Sequence, residues 1–202
     1  TKTETYTATY LDVINTYTDK NITGYKLENV VNKPLTITEN NAQNVMKVYY
    51  VKDNFDYQVK YYLQNLNGGY DEVVEDRVIN NDVEYGTPTT YTQNVYDGYT
   101  FKKVENANTT VPANNDLVIK LYYDRNTYSY KVEHYLQKLD GSYVLDTTDR
   151  YNGVLYGSVA SFDSKVYTGY TYQAGKTVNA NKTVPSDDSL VIELYYDRNL
   201  CT

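Results

Sequence analysis

Sulfur is nearly absent: the 202 residues include one Cys and one Met. The lone Cys201 has no partner with which to close an internal disulfide, so no such cross-link holds the fold. There is no Trp, and His134 is the only His. No stretch approaches the ~18 consecutive apolar residues that a membrane-spanning helix requires, so no membrane insertion is expected. Positive charge is also short, with 19 Lys and Arg against 26 Asp and Glu and a net charge of −7. Nucleic-acid binders need a basic stripe to displace counterions, so nucleic acid is not an expected partner, and neither is an anionic membrane surface. No Ser/His/Asp set, Cys/His pair or phosphate-cradling glycine loop occurs, so neither an enzyme nor a cofactor is expected. Thr1 follows no signal-peptide pattern, which fits a mature or excised segment.

What the chain does have is tyrosine, 27 of them against three Phe. A tyrosine buries a large ring and keeps a polar tip, which suits a thin, half-wet sheet. It also has a repeat. VPANNDLVIKLYYDRN, Val111 to Asn126, returns as VPSDDSLVIELYYDRN, Val184 to Asn199, with eleven of sixteen positions identical at an offset of 73 residues. Tyr57–Arg77 and Tyr130–Arg150 match at ten of twenty-one positions with the same offset. A degraded ending, MKVYYVKDN, closes at Asn54. Gly86 and Gly157, and Gly98-Tyr99 and Gly169-Tyr170, align at an offset of 71, so a paired two-residue deletion and insertion falls between strands, where length is tolerated. The period predicts a partial or shortened module over 1–54, full modules over 55–127 and 128–200, and the start of a next module or a tail at 201–202.

The modules read as mainly β, with α+β as the alternative if the Thr-rich stretch Tyr85–Tyr96 holds a short helix. Tyr57, Val59, Tyr61 and Leu63 alternate with polar neighbours, as do Tyr130, Val132, His134 and Leu136. Asn67-Gly68-Gly69 and Asp140-Gly141-Ser142 predict a hairpin turn after each first strand, and a second strand to about Arg77 and Arg150. A third strand opens at each Gly-Tyr. The last strand sets Leu117, Ile119, Leu121 and Tyr123 on one face. In residues 1–54, two readings compete: a start in mid-module, or Tyr6–Leu11 as the first strand of a shortened module.

Candidate functional residues are few. His134 aligns with Tyr61 and reads as a core residue. The turns Asn114-Asn115-Asp116 and Asp187-Asp188-Ser189 offer oxygens that could hold Ca²⁺, but they lack an EF-hand register and read as solvated turns. No Lys, Asn and acid triplet for an isopeptide bond can be picked out. Asp76-Arg77, Asp149-Arg150, Asp124-Arg125 and Asp197-Arg198 read as inter-strand or inter-module ion pairs. The better candidates face outward: Tyr62 and Tyr135 on first strands, Tyr122 and Tyr195 on last strands. If those strands are neighbours, Tyr62 meets Tyr122 and Tyr135 meets Tyr195. The pairs then either stabilise a thin sheet or stack on sugar rings or a partner protein.

The pattern Y-x-V-x-(Y/H)-Y-L-Q-x-L-(N/D)-G (Tyr57–Gly68, Tyr130–Gly141), the central Gly98-Tyr99 and Gly169-Tyr170, and L-V-I-x-L-Y-Y-D-R-N (Leu117–Asn126, Leu190–Asn199) together resemble the MucBP, or mucin-binding protein, repeats of Gram-positive surface proteins. The resemblance covers both full modules and, weakly, the first 54 residues. It implies small ubiquitin-like, β-grasp type modules arranged end to end as a rod. It implies an extracellular segment attached to the cell wall through regions outside this sequence, since no LPxTG-type signal is present. The implied role is stalk, spacer or filament component, or adhesive segment. The implied partners are neighbouring modules of the same chain and mucin-type or other host glycoproteins. With first and last strands parallel, short connectors such as Asp124–Ser129 leave little slack between modules.

Overall fold

The computed structural model describes residues 1–200, and its regular structure there is almost all strand. The expectations for Cys201 and Thr202 lie outside the described residues. Helix is limited to two three-residue 3₁₀ turns, Val74–Asp76 and Ala174–Lys176. The α+β alternative therefore fails among the described residues: 85–96 crosses as irregular chain. β-branched Thr without apolar residues at 3.6 spacing gives a helix neither propensity nor a face to bury. The chain divides into two compact units. One comprises Thr1–Val59, Val78–Tyr91 and Asn106–Ile119; the other comprises Lys60–Arg77, Thr92–Glu105 and the chain from Lys120 on.

The first residues hold β1 (Val13–Ile14), β2 (Tyr25–Val31), β3 (Leu35–Thr36) and β4 (Lys47–Lys52). β1 pairs with β3 and β2 with β4, both antiparallel. Tyr6–Leu11 is not a strand: its residues are exposed, and Tyr10-Leu11 forms a turn. Its alternation finds no neighbouring strand to pair with. A five-stranded sheet follows, built from β5 (Asn54–Gln64), β6 (Tyr70–Glu72), β7 (Val78–Glu84), β8 (Tyr99–Glu105) and β9 (Leu117–Arg125). Its order is β6-β5-β9-β8, with β7 also on β5. The last sheet has β10 (Thr127–Gln137), β11 (Tyr143–Leu155), β12 (Tyr170–Tyr172) and β13 (Val191–Arg198) in the order β11-β10-β13-β12. β10 and β13 are parallel, as expected for a first and a last strand, and the irregular crossover makes that return possible.

The period-2 pattern becomes the core. Tyr57, Val59, Tyr61, Ile119, Leu121 and Tyr123 are buried from β5 and β9. Tyr130, Val132, His134, Ile192, Leu194 and Tyr196 are buried from β10 and β13. The predicted hairpins form, with Asn65 N–H donating to Gly69 O at 2.8 Å and Lys138 N–H to Ser142 O at 2.7 Å. Gly68 and Gly141 take φ of +86° and +85°, a region costly for other residues. The second strands depart from expectation in opposite ways. β6 stops at Glu72 and a 3₁₀ turn precedes β7, whereas β11 runs unbroken past Arg150 to Leu155.

The acidic turns have a structural task. Asn115 Oδ1 accepts the Asp56 N–H at 2.7 Å, and Asp188 Oδ1 accepts the Ser129 N–H at 2.5 Å. Asn114 and Asp187 accept N–H groups of their own turns. These oxygens anchor the starts of the first strands, which supports the turn reading.

One packing motif occurs twice. Gly98 has φ +77°, and a Cβ there would stand 2.5 Å from Tyr156 Cε1, closer than carbon atoms approach. The Tyr156 ring therefore lies directly on the Gly98 backbone, edge-on to Tyr99 (centroids 5.8 Å apart) and Tyr128 (6.2 Å). Tyr156 N–H donates to Asn126 O at 2.9 Å, and Arg125 Nη1 donates to Tyr156 O at 2.7 Å. Gly24, with φ +79°, receives Tyr85 in the same way, between Tyr25 and Phe55, with Tyr85 N–H on Asp53 O at 2.8 Å. Lys52 holds the place of Arg125 and pairs with Glu84 at 2.9 Å. Arg125 thus clamps a carbonyl and lies over two aromatic rings, 5.0 Å from Tyr99 and 6.0 Å from Tyr156.

Of the four Asp-Arg steps, three set their Asp in an ion pair with a lysine of another segment, and Lys102 of β8 meets Asp124 of β9 as the inter-strand reading expected. Arg77 pairs with Glu72, Asp76 accepts from Tyr96, Asp149 takes His134 and Lys165, and Asp124 and Asp197 take Lys102 and Lys176. Adjacent residues on a strand point to opposite faces, so an Asp and the following Arg meet different partners.

Candidate functional site

The alternation that buries Tyr61 and Tyr123 turns Tyr62 and Tyr122 to the other face of their sheet, and the same holds for Tyr135 and Tyr195. The four predicted site residues meet in two stacked pairs. Tyr62 and Tyr122 lie 5.1 Å apart and Tyr135 and Tyr195 5.2 Å apart, both at an interplanar angle of 19°. All four are half-buried. In the last sheet Tyr135 faces Tyr195 directly in the parallel register.

A second layer surrounds each pair. Tyr70 stands edge-on to Tyr122 at 5.2 Å, and Tyr143 to Tyr195 at 4.9 Å. Tyr70 donates its hydroxyl proton to Asp124, and Tyr143 to Asp197. A lysine closes each arrangement: Lys102 Nζ lies 2.9 Å from Tyr70 Oη and 3.1 Å from Asp124, and Lys176 Nζ lies 2.6 Å from Tyr143 Oη and 2.7 Å from Asp197. The Tyr70 hydrogen bond, and then Lys102, hold the Asp124 carboxyl below its ordinary value; Lys176 and then Tyr143 do so for Asp197.

The two sites differ at their free hydroxyls. Tyr135 donates to Glu133 at 2.6 Å and Tyr195 to Glu193 at 2.5 Å, and these carboxylate bonds, with burial, push both phenols up to about 12. Tyr122 instead reaches Glu105 at 3.3 Å, and Lys103 lies over its ring at 4.9 Å while pairing with Glu105 at 2.6 Å. In the earlier sheet a cation therefore already covers the tyrosine that faces outward. Chemically, each site is an aromatic shelf edged by carboxylates and lysine ammonium groups, Lys102 and Lys103 in the earlier sheet and Lys176 in the last. The phenols of the four stacked tyrosines are all pushed up from their ordinary value, chiefly by burial at Tyr62 and Tyr122 and by the carboxylate hydrogen bonds at Tyr135 and Tyr195, so they remain protonated donors at neutral pH.

Tyr70, Tyr143, Asp124 and Asp197 were open to detection, because each pair recurs at the 73-residue offset. The lysines were not. Lys102 lies on β8, whereas Lys176 lies in the 3₁₀ turn after β12 and does not align with it.

His134 sits in the core as expected, fully buried, with Nδ1 2.9 Å from Tyr196 Oη and Nε2 3.1 Å from Asp149. Burial lowers its basicity against the opposing pull of Asp149. Among the described residues, no helix is long and apolar enough to cross a membrane.

No family model and no curated protein matches the chain. Among solved structures, the crystal structure of Mub-RV is similar at 12% identity, covering 72% of this chain and 99% of that one, with a TM-score of 0.21. At that score the likeness carries no argument about fold or ligand.

Proposed function

We propose that this chain is a non-catalytic repeat segment of an extracellular bacterial surface protein, serving as stalk or adhesive segment. The observation that carries the reading is the tyrosine seat on glycine, built twice with matching partners at Gly24 and Gly98. A joint repeated in this way is what an array of coupled modules needs, and it supports β-grasp-like modules set end to end. The MucBP-like motifs point the same way. The outer tyrosines fit this role, since the hydroxyls of Tyr70, Tyr122, Tyr135, Tyr143 and Tyr195 are engaged by carboxylates of their own sheet. Small-angle scattering tests the arrangement: a pair-distance distribution with an extended tail is expected, and a symmetric, compact one would refute the rod.

The stacked pairs favour a second reading, in which the tyrosine shelf binds glycans of mucin-type or other host glycoproteins. Saturable binding to mucin or a defined glycan, lost in Tyr122→Ala/Tyr195→Ala, would establish it. Equal binding by both proteins would remove these residues as a site.

A further inference from the structure

The outward face of each sheet breaks a rule of strand pairing, and the two sheets break it with opposite charge. In the parallel register of β10 and β13, Glu133 stands directly across from Glu193, two residues before Tyr135 and Tyr195 on the same face. Like charges directly opposite one another are unfavourable. Going back 73 residues from each glutamate gives Lys60 and Lys120. These stand two residues before Tyr62 and Tyr122, whose rings stack as those of Tyr135 and Tyr195 do. Two lysines therefore flank the earlier shelf where two glutamates flank the later one.

Little within each sheet relieves this. Lys60 lies 3.6 Å from Glu72, but Glu72 is closer to Arg77, at 2.6 Å. Glu105 faces Lys120 in the register of β8 and β9, yet its carboxylate pairs with Lys103 at 2.6 Å. Glu133 and Glu193 accept phenol protons from Tyr135 and Tyr195. Of the ion pairs among the described residues, none includes Glu133, Glu193 or Lys120, nor Lys131, which stands across from Arg150 one step along the later face. Lys60, Lys120, Glu133 and Glu193 are all half-buried rather than enclosed. Chain extends well beyond the earlier sheet on both sides, and it encloses neither lysine.

We propose that the lysine face of the sheet bearing Tyr62 and Tyr122 packs on the glutamate face of the sheet bearing Tyr135 and Tyr195 in a second copy of this chain, joining molecules side by side. Sheets packed face to face keep their strand directions roughly aligned and stand about 10 Å apart. So aligned, Lys60 and Lys120 of one molecule meet Glu133 and Glu193 of the other, and the stacked tyrosine pairs fill the gap beside them. Two repulsions within sheets become attractions between sheets. A pattern that is unfavourable locally and relieved on association marks a contact surface. Exposed ion pairs contribute little each, so the association is weak and sensitive to salt. Each molecule offers one face of each sign, so the contact is heterologous and can continue beyond a dimer.

Sedimentation of the full chain across a wide concentration range, with a reductant to silence Cys201, tests this. The wild type should associate at low salt and be monomeric at about 1 M salt, where charges are screened within about 3 Å. Lys60→Glu/Lys120→Glu makes both faces acidic, and Glu133→Lys/Glu193→Lys makes both basic. Each places on one sheet what the other already carries there, so both should fold, as circular dichroism would check. Should one misfold, Lys60→Gln/Lys120→Gln or Glu133→Gln/Glu193→Gln takes its place, with loss of association as the readout. Each charge-swapped variant alone should associate about a hundredfold or more weakly than wild type. General repulsion cannot explain that loss in the second, because each Glu→Lys change adds two charges and takes the net charge from −7 to −3. An equimolar mixture of the two variants should recover association, and the chain carrying all four changes should associate like wild type. A wild type monomeric at low salt, a charge-swapped variant that associates like wild type, or a mixture no tighter than its components would each overturn the proposal. A monomeric wild type that binds mucin through this face would overturn it too, and would give the face to the glycan reading. Association between copies does not depend on the surface-repeat reading above.

Discussion

Tyr61 and His134 occupy the same position on first strands β5 and β10, and both are buried. Tyr61 reaches out of its sheet to donate to Thr92 O at 2.8 Å in the crossover. The shorter imidazole stays inside and bridges Tyr196 and Asp149. The neighbouring second strands differ accordingly. β11 runs continuously through Asp149, which lies 3.1 Å from His134 and 2.7 Å from Lys165. The equivalent Asp76 lies in the 3₁₀ turn that interrupts its strand and accepts from Tyr96 at 2.5 Å. The polar end of a buried aromatic must find a partner, and the two sheets meet that demand with different neighbours around one apolar pattern. What they share is the packing of β5 on β9 and of β10 on β13; what has diverged is the polar wiring behind it.

The largest expected effect probes the shared part. Ile119→Ala and Ile192→Ala remove matched, fully buried side chains, and each should cost about 2–5 kcal/mol in chemical denaturation. A much smaller loss at one of them would break the equivalence of the cores. Next, Gly98→Asn should cost about 1–3 kcal/mol by evicting Tyr156. Gly169→Asn, with open space and the same sign of φ, should be nearly neutral in dilute solution. Equal melting temperatures would mean the ring on Gly98 adds nothing.

The diverged part has a pH signature. Burial holds the His134 imidazole below its usual 6.5, so the folded chain takes up that proton less readily than the unfolded chain. Stability from this site is therefore intact above about pH 6.5 and falls as pH drops from there toward the depressed value. His134→Tyr, which copies the earlier sheet, should flatten that slope, measured as denaturation midpoints from pH 7.5 to 5. An unchanged slope would assign it elsewhere. The smallest effect concerns the shelf: Tyr62→Ala and Tyr135→Ala should each lose about 0.5–1.5 kcal/mol beyond the buried area, from lost stacking.

Much of this was legible in the sequence because it is local. Period-2 alternation decided which tyrosine of each Tyr-Tyr pair goes inward, and Asn-Gly and Asp-Gly marked the hairpins. The resemblance, which sets first and last strands side by side, then implied which outward tyrosines would meet. Features that depend on who sits across the sheet were not legible. The Arg125 partner is a backbone carbonyl 31 residues on, which carries no side-chain signal. Tyr6–Leu11 alternates as a strand does, and alternation alone does not show whether a partner strand lies beside it, so two readings stayed open for residues 1–54. Lys102 and Lys176 reach equivalent carboxylates, Asp124 and Asp197, from positions that do not align, since the field of an acid on the face, rather than a register, selects them.

The central claim is that successive copies are joined by a tyrosine ring lying on a glycine. A double-mutant cycle on Tyr156→Ala and Gly98→Asn tests it most directly. Once Asn has displaced the ring, removing the ring should cost little more. The account therefore predicts that the double variant is less destabilised than the sum of the singles, by about 1 kcal/mol or more. Strict additivity would contradict it.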